Sequence, residues 1–179
     1  LPFGKIQEAR RMAKVVSEVC SYKPQYRKNT VLEVLLLGDI IQGKLHDPLD
    51  GANISEQCSR AIHLLTQSLA HLAKNFSKIN VRCATGNHDR VTSRHKERAS
   101  FQKWDSYATI IYSAVKSACS NLKNVSFFIP KTPYVSYDVF GAKVMATHGD
   151  TVIKTGFPSN NINISKIEAQ INTINASLK

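Results

Sequence analysis

The order of hydrophobic patterns along this chain predicts an α/β layered domain, with parallel β-α-β units followed by a hairpin in the C-terminal half. Three observations carry that expectation. Val31 to Leu37 and Ile79 to Thr85 are short, mostly apolar runs separated by a long stretch of helical periodicity. A third short run, Val125 to Ile129, follows a further helical stretch. Tyr134 to Asp138 and Ala142 to Thr147 then flank a turn holding Gly141, which is a hairpin signal.

The elements follow in order. Ile6, Ala9, Ala13, Val16 and Cys20 recur at helical spacing and predict an amphipathic helix over residues 5 to 21. Tyr22 to Asn29, with Lys23, Pro24, Arg27 and Lys28, reads as a basic connecting loop. Val31 to Leu37 is apolar on both alternating faces, the pattern of a strand buried on both sides. After a loop over Gly43 to Gly51, Ile62, Leu65, Leu69, Leu72 and Phe76 give a helix within 54 to 76. Trp104, Ala108, Ile111 and Val115 mark another over about 101 to 119, and their spacing assigns Trp104, Tyr107 and Tyr112 to core packing. Ser165-x-x-Glu168 has the form of a capping box opening a last helix towards Lys179.

Composition bounds the function. The 179 residues hold 24 Lys plus Arg against 13 Asp plus Glu, a formal charge of +11 that favours polyanionic partners such as nucleic acid. No apolar stretch approaches the ~20 residues of a membrane span. Cys20, Cys58, Cys83 and Cys119 are dispersed, without a C-x-x-C pair, and read as free thiols of a reducing compartment. A cytoplasmic location, with no membrane partner, is therefore expected.

The sharpest signal lies where strands end. Three predicted strands run directly into a Gly and a polar ligand type: Gly38-Asp39, Gly86-Asn87 and His148-Gly149. In α/β sheets functional groups gather beyond the carboxyl ends of strands. A carboxylate, an amide oxygen and an imidazole form a donor set suited to Mn²⁺, Fe²⁺ or Zn²⁺.

Gly38-Asp39, Gly86-Asn87-His88-Asp89 and His148-Gly149-Asp150 together resemble the second, third and fourth motifs of the calcineurin-like dimetal metallophosphoesterases, over residues 31 to 150. The resemblance implies a layered metallophosphoesterase-like β-sandwich flanked by helices, with a mixed sheet. It implies two divalent metal ions, Mn²⁺ foremost with Fe²⁺ or Zn²⁺ as alternatives. Asp39 would bridge them, and Asn87 and His148 would bind the second. His88 would act at the scissile phosphate as general acid or transition-state stabiliser, and Asp89 would orient its ring. Two metals ~3.5–4 Å apart can hold a hydroxide for in-line attack on phosphorus.

The chain departs from that family in several places. Asp-x-His is not found ahead of the first helix, Gly-His-x-His occurs nowhere, and Ile40-Ile41-Gln42-Gly43 stands where a second Asp is frequent. The protein-phosphatase forms Gly-Asp-x-Val-Asp-Arg-Gly and Gly-Asn-His-Glu are absent. The 179 residues are accordingly expected to be one metallophosphoesterase domain, incomplete at both ends, binding at most one metal well and poorly active.

The function expected is phosphodiester hydrolysis, as a DNA exo- or endonuclease. A small-molecule phosphoesterase and a degenerate, non-catalytic domain binding nucleic acid or a protein partner are the alternatives, and a homodimer is compatible with each. Arg90, Arg94 and His95, in a basic stretch beside the third motif, are the candidate substrate contacts. His46, His63, His71 and Lys154 are assigned to surface or structural roles.

Overall fold

The computed structural model describes residues 4–22, 30–44, 51–91, 104–150 and 164–177. The order is α1 (Lys5–Ser21), β1 (Val31–Leu36), α2 (Ile54–Ala73), β2 (Lys78–Cys83), α3 (Tyr107–Ala118), β3 (Val125–Phe128), β4 (Tyr134–Val139), β5 (Ala142–Thr147) and α4 (Ile164–Ser177). The fold is mixed α/β, and the strands form two small sheets: a parallel one in the order β1-β2-β3, and the antiparallel pair β4-β5. No helix among the described residues is long and apolar enough to cross a membrane.

Two expectations need correction here. The strands do not form one mixed sheet, and no closed sandwich is seen among the described residues. The hairpin pairs only with itself, Tyr134 opposite Thr147 through Val139 opposite Ala142. It faces the parallel sheet through side chains: Arg82 of β2 lies 4.5 Å from the Phe128 ring centroid and 4.6 Å from that of Tyr137 on β4. Ser165 is the second residue of α4 rather than a cap ahead of it.

Local chemistry explains the element boundaries. Asn53 caps α2 by accepting from the Glu56 backbone N–H at 2.9 Å, while Glu56 Oε2 accepts from the Asn53 N–H at 3.1 Å. Ser106 caps α3 by accepting from the Ala108 N–H at 3.1 Å. β2 is paired on both edges and carries the core: Ile79 and Val81 are fully buried against Leu65, Leu69 and Leu72 of α2 and Ile111 and Val115 of α3. Tyr112 is also fully buried, but Trp104 is exposed, so the core assignment of that tryptophan does not hold.

Candidate functional site

The parallel register places the carboxyl ends of β1 and β2 side by side, Leu36 opposite Cys83. Beyond them the two turns make their closest approach. Gly38 adopts φ +86, and a Cβ there would run into the backbone of Gly86; a Cβ on Gly86 would run into the Asp39 carboxylate and backbone. Glycine is therefore required at both positions for steric reasons, as the strand-end reading expected. Asp39 itself stands at φ +50, a left-handed conformation that L residues other than Gly seldom adopt. Such strain persists only where surrounding contacts hold it.

The hold comes from Asp89. Its carboxylate is fully buried and accepts three backbone N–H groups: Asp39 at 2.7 Å, Gly86 at 3.0 Å and Ile41 at 3.3 Å. It ties the turn after β1 to the turn after β2. Burial pushes the Asp89 carboxyl above the usual carboxylate range, while the three N–H groups work in the opposite direction. Tyr112 adds a second tie, its hydroxyl donating to Ala84 O at 3.0 Å and lying 3.4 Å from Leu36 O. Burial raises that phenol's pKa, so it stays protonated as a donor.

On this frame Asp39, Asn87, His88 and His148 come together. The His88 backbone N–H donates to Asp39 Oδ1 at 2.9 Å. His148 Nε2 lies 3.0 Å from Asn87 Oδ1 and 3.3 Å from Asp39 Oδ2. Its Nδ1 lies 2.8 Å from Leu37 O; a carbonyl only accepts, so Nδ1 carries the proton. That bond also anchors the end of β5 against the end of β1. The three strand-end residues, 48 and 61 positions apart in sequence, are thus neighbours in space.

A scan of protein-family models, a search of curated proteins and a search of solved structures each found no match. The site therefore stands on its own geometry.

That geometry overturns the expectation of two divalent metal ions. Among the described residues no group of three or more His, Cys, Asp or Glu side chains is placed to hold a metal. Asp39 and His148 meet, but their third neighbour is the neutral amide of Asn87. Asp89, the next carboxylate, is turned inward onto backbone amides. Cys83, at the end of β2, is buried and its thiol pKa is pushed up to about 12, so it is a neutral core group rather than a ligand.

The role expected of Asp89 also changes. The carbonyl oxygen of Gln42, 3.0 Å from His88 Nδ1, is the orienting acceptor seen on that ring. Asp89 instead sets the backbone on which Asp39 and His88 stand. Arg90 is half-buried and its backbone bridges Ser106, while its Nε is buried without a hydrogen-bond partner among the described residues. Arg94 and His95 lie outside the described residues, as do His46 and Lys154.

Sequence reasoning missed Gln57. This buried α2 residue accepts from the Gly43 N–H at 3.1 Å and donates to Ala52 O at 3.0 Å, fixing the segment that carries Gln42. Its sequence signal is weak, a polar residue on the inward face of an amphipathic helix.

Proposed function

We propose that this chain is a phosphoesterase domain whose reaction is phosphodiester hydrolysis, with DNA as the substrate class, in the manner of an exo- or endonuclease. One observation carries the reading. Asp39, Asn87, His88 and His148, drawn from the ends of three different strands, converge at one point, and the backbone there is strained and clamped. A scaffold has no physical need for that combination at a left-handed aspartate.

In this reading His88 works beside the scissile phosphate. Its Nδ1–H donates to Gln42 O, so the proton passed to the leaving oxygen would be a second ring proton, carried at Nε2 of the imidazolium, while a water molecule forms the new bond to phosphorus as the P–O bond breaks. The neutral Asn87 amide keeps the site from carrying a second carboxylate that would repel an anionic diester. Arg90 and the +11 formal charge favour approach of a phosphate backbone. The hairpin and the parallel sheet would then be the two layers of a sandwich, with Arg82 between them.

A second reading has its own support. The lack of a metal-holding group among the described residues favours a non-catalytic domain that binds nucleic acid. Assays on single-stranded DNA, double-stranded DNA, bis-p-nitrophenyl phosphate and p-nitrophenyl phosphate, each with and without added Mn²⁺, separate the two. Diester turnover that is lost in His88→Ala supports hydrolysis. DNA binding without turnover selects the binding module, and monoester turnover alone rejects the nuclease.

A further inference from the structure

Arg82 is a charged residue in the central strand of the parallel sheet. Ile79, Val81 and Cys83 of β2 are buried in the core with the helices, so Asn80 and Arg82 share the opposite face, the one that meets Tyr137 of the hairpin. Register puts Glu33 beside Asn80, and Phe128 beside Arg82. Glu33 Oε1 accepts from Asn80 Nδ2 at 2.6 Å, and Glu33 Oε2 accepts from Arg82 Nε at 2.7 Å. The guanidinium is thus aimed, with the Arg82 side chain only 14 % exposed, and it lies over two rings, 4.5 Å from the Phe128 centroid and 4.6 Å from that of Tyr137. An ion pair buried in this way adds little net stability over apolar side chains of the same size, because desolvation offsets the attraction. What it supplies is direction: a planar, rigid fork that stacks on an aromatic face.

The hairpin needs such a hold. A two-stranded ribbon is marginal in water, so its place is set by what it packs against. Along β4, Val135 and Tyr137 alternate with the exposed Ser136 and Asp138, which makes theirs the inward face. Tyr137 pairs with Val144, and alternation carries that face along β5 from Val144 through Ala146 to His148. Tyr137 and His148 therefore stand on one face of the ribbon, ~13 Å apart along β5. At one end Arg82 takes the Tyr137 ring. At the other the His148 ring reaches Leu37 O, Asn87 Oδ1 and Asp39 Oδ2. β2 runs from Arg82 into the turn that bears Asn87, so a single strand and its turn meet both ends of that face.

We propose that Arg82 is a positioning residue: by holding the Tyr137 ring it docks the hairpin, and so sets the His148 ring at the ends of β1 and β2. The placement of the ring is argued without any reaction; that it serves diester hydrolysis rests on the phosphoesterase reading. An apolar side chain at position 82 would still pack against Tyr137, but it offers no directional partner to fix the slide and tilt of the ribbon. A small slide is enough to spoil the 2.8 Å bond from His148 Nδ1–H to Leu37 O, since hydrogen bonds weaken steeply with misalignment. That proton is the natural reporter, because the docked hairpin keeps the His148 side chain 20 % exposed and its Nδ1–H bonded.

The test is the exchange of the His148 Nδ1–H with water, followed by NMR in the whole chain. The double variant Arg82→Met, Glu33→Gln removes both charges together and leaves no lone buried ion. It is expected to speed that exchange by about tenfold or more, while the backbone amides of Ile79 and Val81 in β2 keep their protection. Tyr137→Leu, outside the parallel sheet and its core, is expected to do the same. Tyr137→Phe, which keeps the ring face, is expected to retain the native rate. The proposal is overturned by a native rate in the double variant, or by Tyr137→Phe behaving as Tyr137→Leu. It is overturned too if Ile79 and Val81 lose protection in step with His148, the mark of a general loss of stability. Diester turnover is scored beside it: kcat is expected to fall as the ring is released. A native chain without turnover counts against the phosphoesterase reading, and the ring measurement alone then decides the positioning role.

Discussion

Replacing Asp89 by Asn tests whether this buried carboxylate holds the site. In the native turn one carboxylate oxygen takes the N–H groups of Asp39 and Gly86, and the other takes that of Ile41. Asparagine is isosteric but offers a single oxygen. Placed towards Asp39 and Gly86, it leaves its NH₂ facing the Ile41 N–H, donor against donor. An orphaned buried donor costs ~1–3 kcal/mol. Part of that is returned because a buried charge is no longer present, so a net loss of ~1–2 kcal/mol is expected at neutral pH. The pH dependence has a defined sign. Since burial raises the folded carboxyl above its unfolded value of ~4, the folded state binds more protons in the window just above that value. The contribution of Asp89 to stability is then full below the unfolded value and falls as pH rises through the raised one. A tenfold difference in proton affinity between the folded and unfolded chains corresponds to ~1.4 kcal/mol. The asparagine side chain does not titrate, so the wild-type advantage over Asp89→Asn should shrink as pH rises from ~4 towards neutrality. Urea unfolding of both proteins across that range measures it, and taking the difference cancels the other carboxylates. An advantage that grows with pH would refute the reasoning, because it would mean that the three N–H groups outweigh burial.

Four further outcomes follow from the same geometry. Gly86→Ala places a methyl group on the Asp39 backbone and carboxylate, and should cost several-fold more stability than a surface Gly→Ala change in a thermal melt, with loss of diester turnover. Tyr112→Phe removes the donor to Ala84 O and should lower stability by ~1–2 kcal/mol in denaturant titration while the helical signal is retained. His88→Ala should reduce kcat with little change in DNA affinity, since the backbone N–H that serves Asp39 survives the substitution. Calorimetric titration with Mn²⁺ should show no tight pair of sites, and two such sites would reinstate the dimetal expectation.

Much of the fold was legible in the order of residues. Periodicity located α1 with its bounds and placed α2, β2 and the hairpin within a few residues, because amphipathic spacing is a local property, whereas α3 starts six residues later than its stripe predicts. The strand-end glycines were legible for the same reason: a tight turn between a strand and a loop leaves few other choices. The meeting of Asp39 and Asn87 was legible through the rule that strand carboxyl ends gather on one edge of a parallel sheet, whereas His148 ends a strand of the separate hairpin and is brought there only by the tertiary fold.

What the sequence did not disclose depends on depth and on neighbours. Asp89 follows His88 directly and reads as its partner, but the turn folds the carboxylate inward to amides up to 50 residues away. Trp104 fits a helical stripe, yet α3 begins only at Tyr107, which leaves the indole outside the core. β1 reads as an inner strand because pattern reports what a residue would bury, not whether a neighbour is present to bury it.

The amino-acid sequence by itself determined the alternation of helices and strands, the basic charge and the residue types gathered at strand ends, since each is written in spacing or composition. Only the tertiary structure decided that the hairpin forms a separate sheet and that Asp89 is a clamp rather than a partner of His88. It also decided that, among the described residues, no group of three His, Cys, Asp or Glu side chains is placed to hold a metal, and that β1 lies at an edge of the parallel sheet. Those outcomes turn on contacts between residues distant in sequence, where burial and competing backbone donors, not local pattern, set the energy.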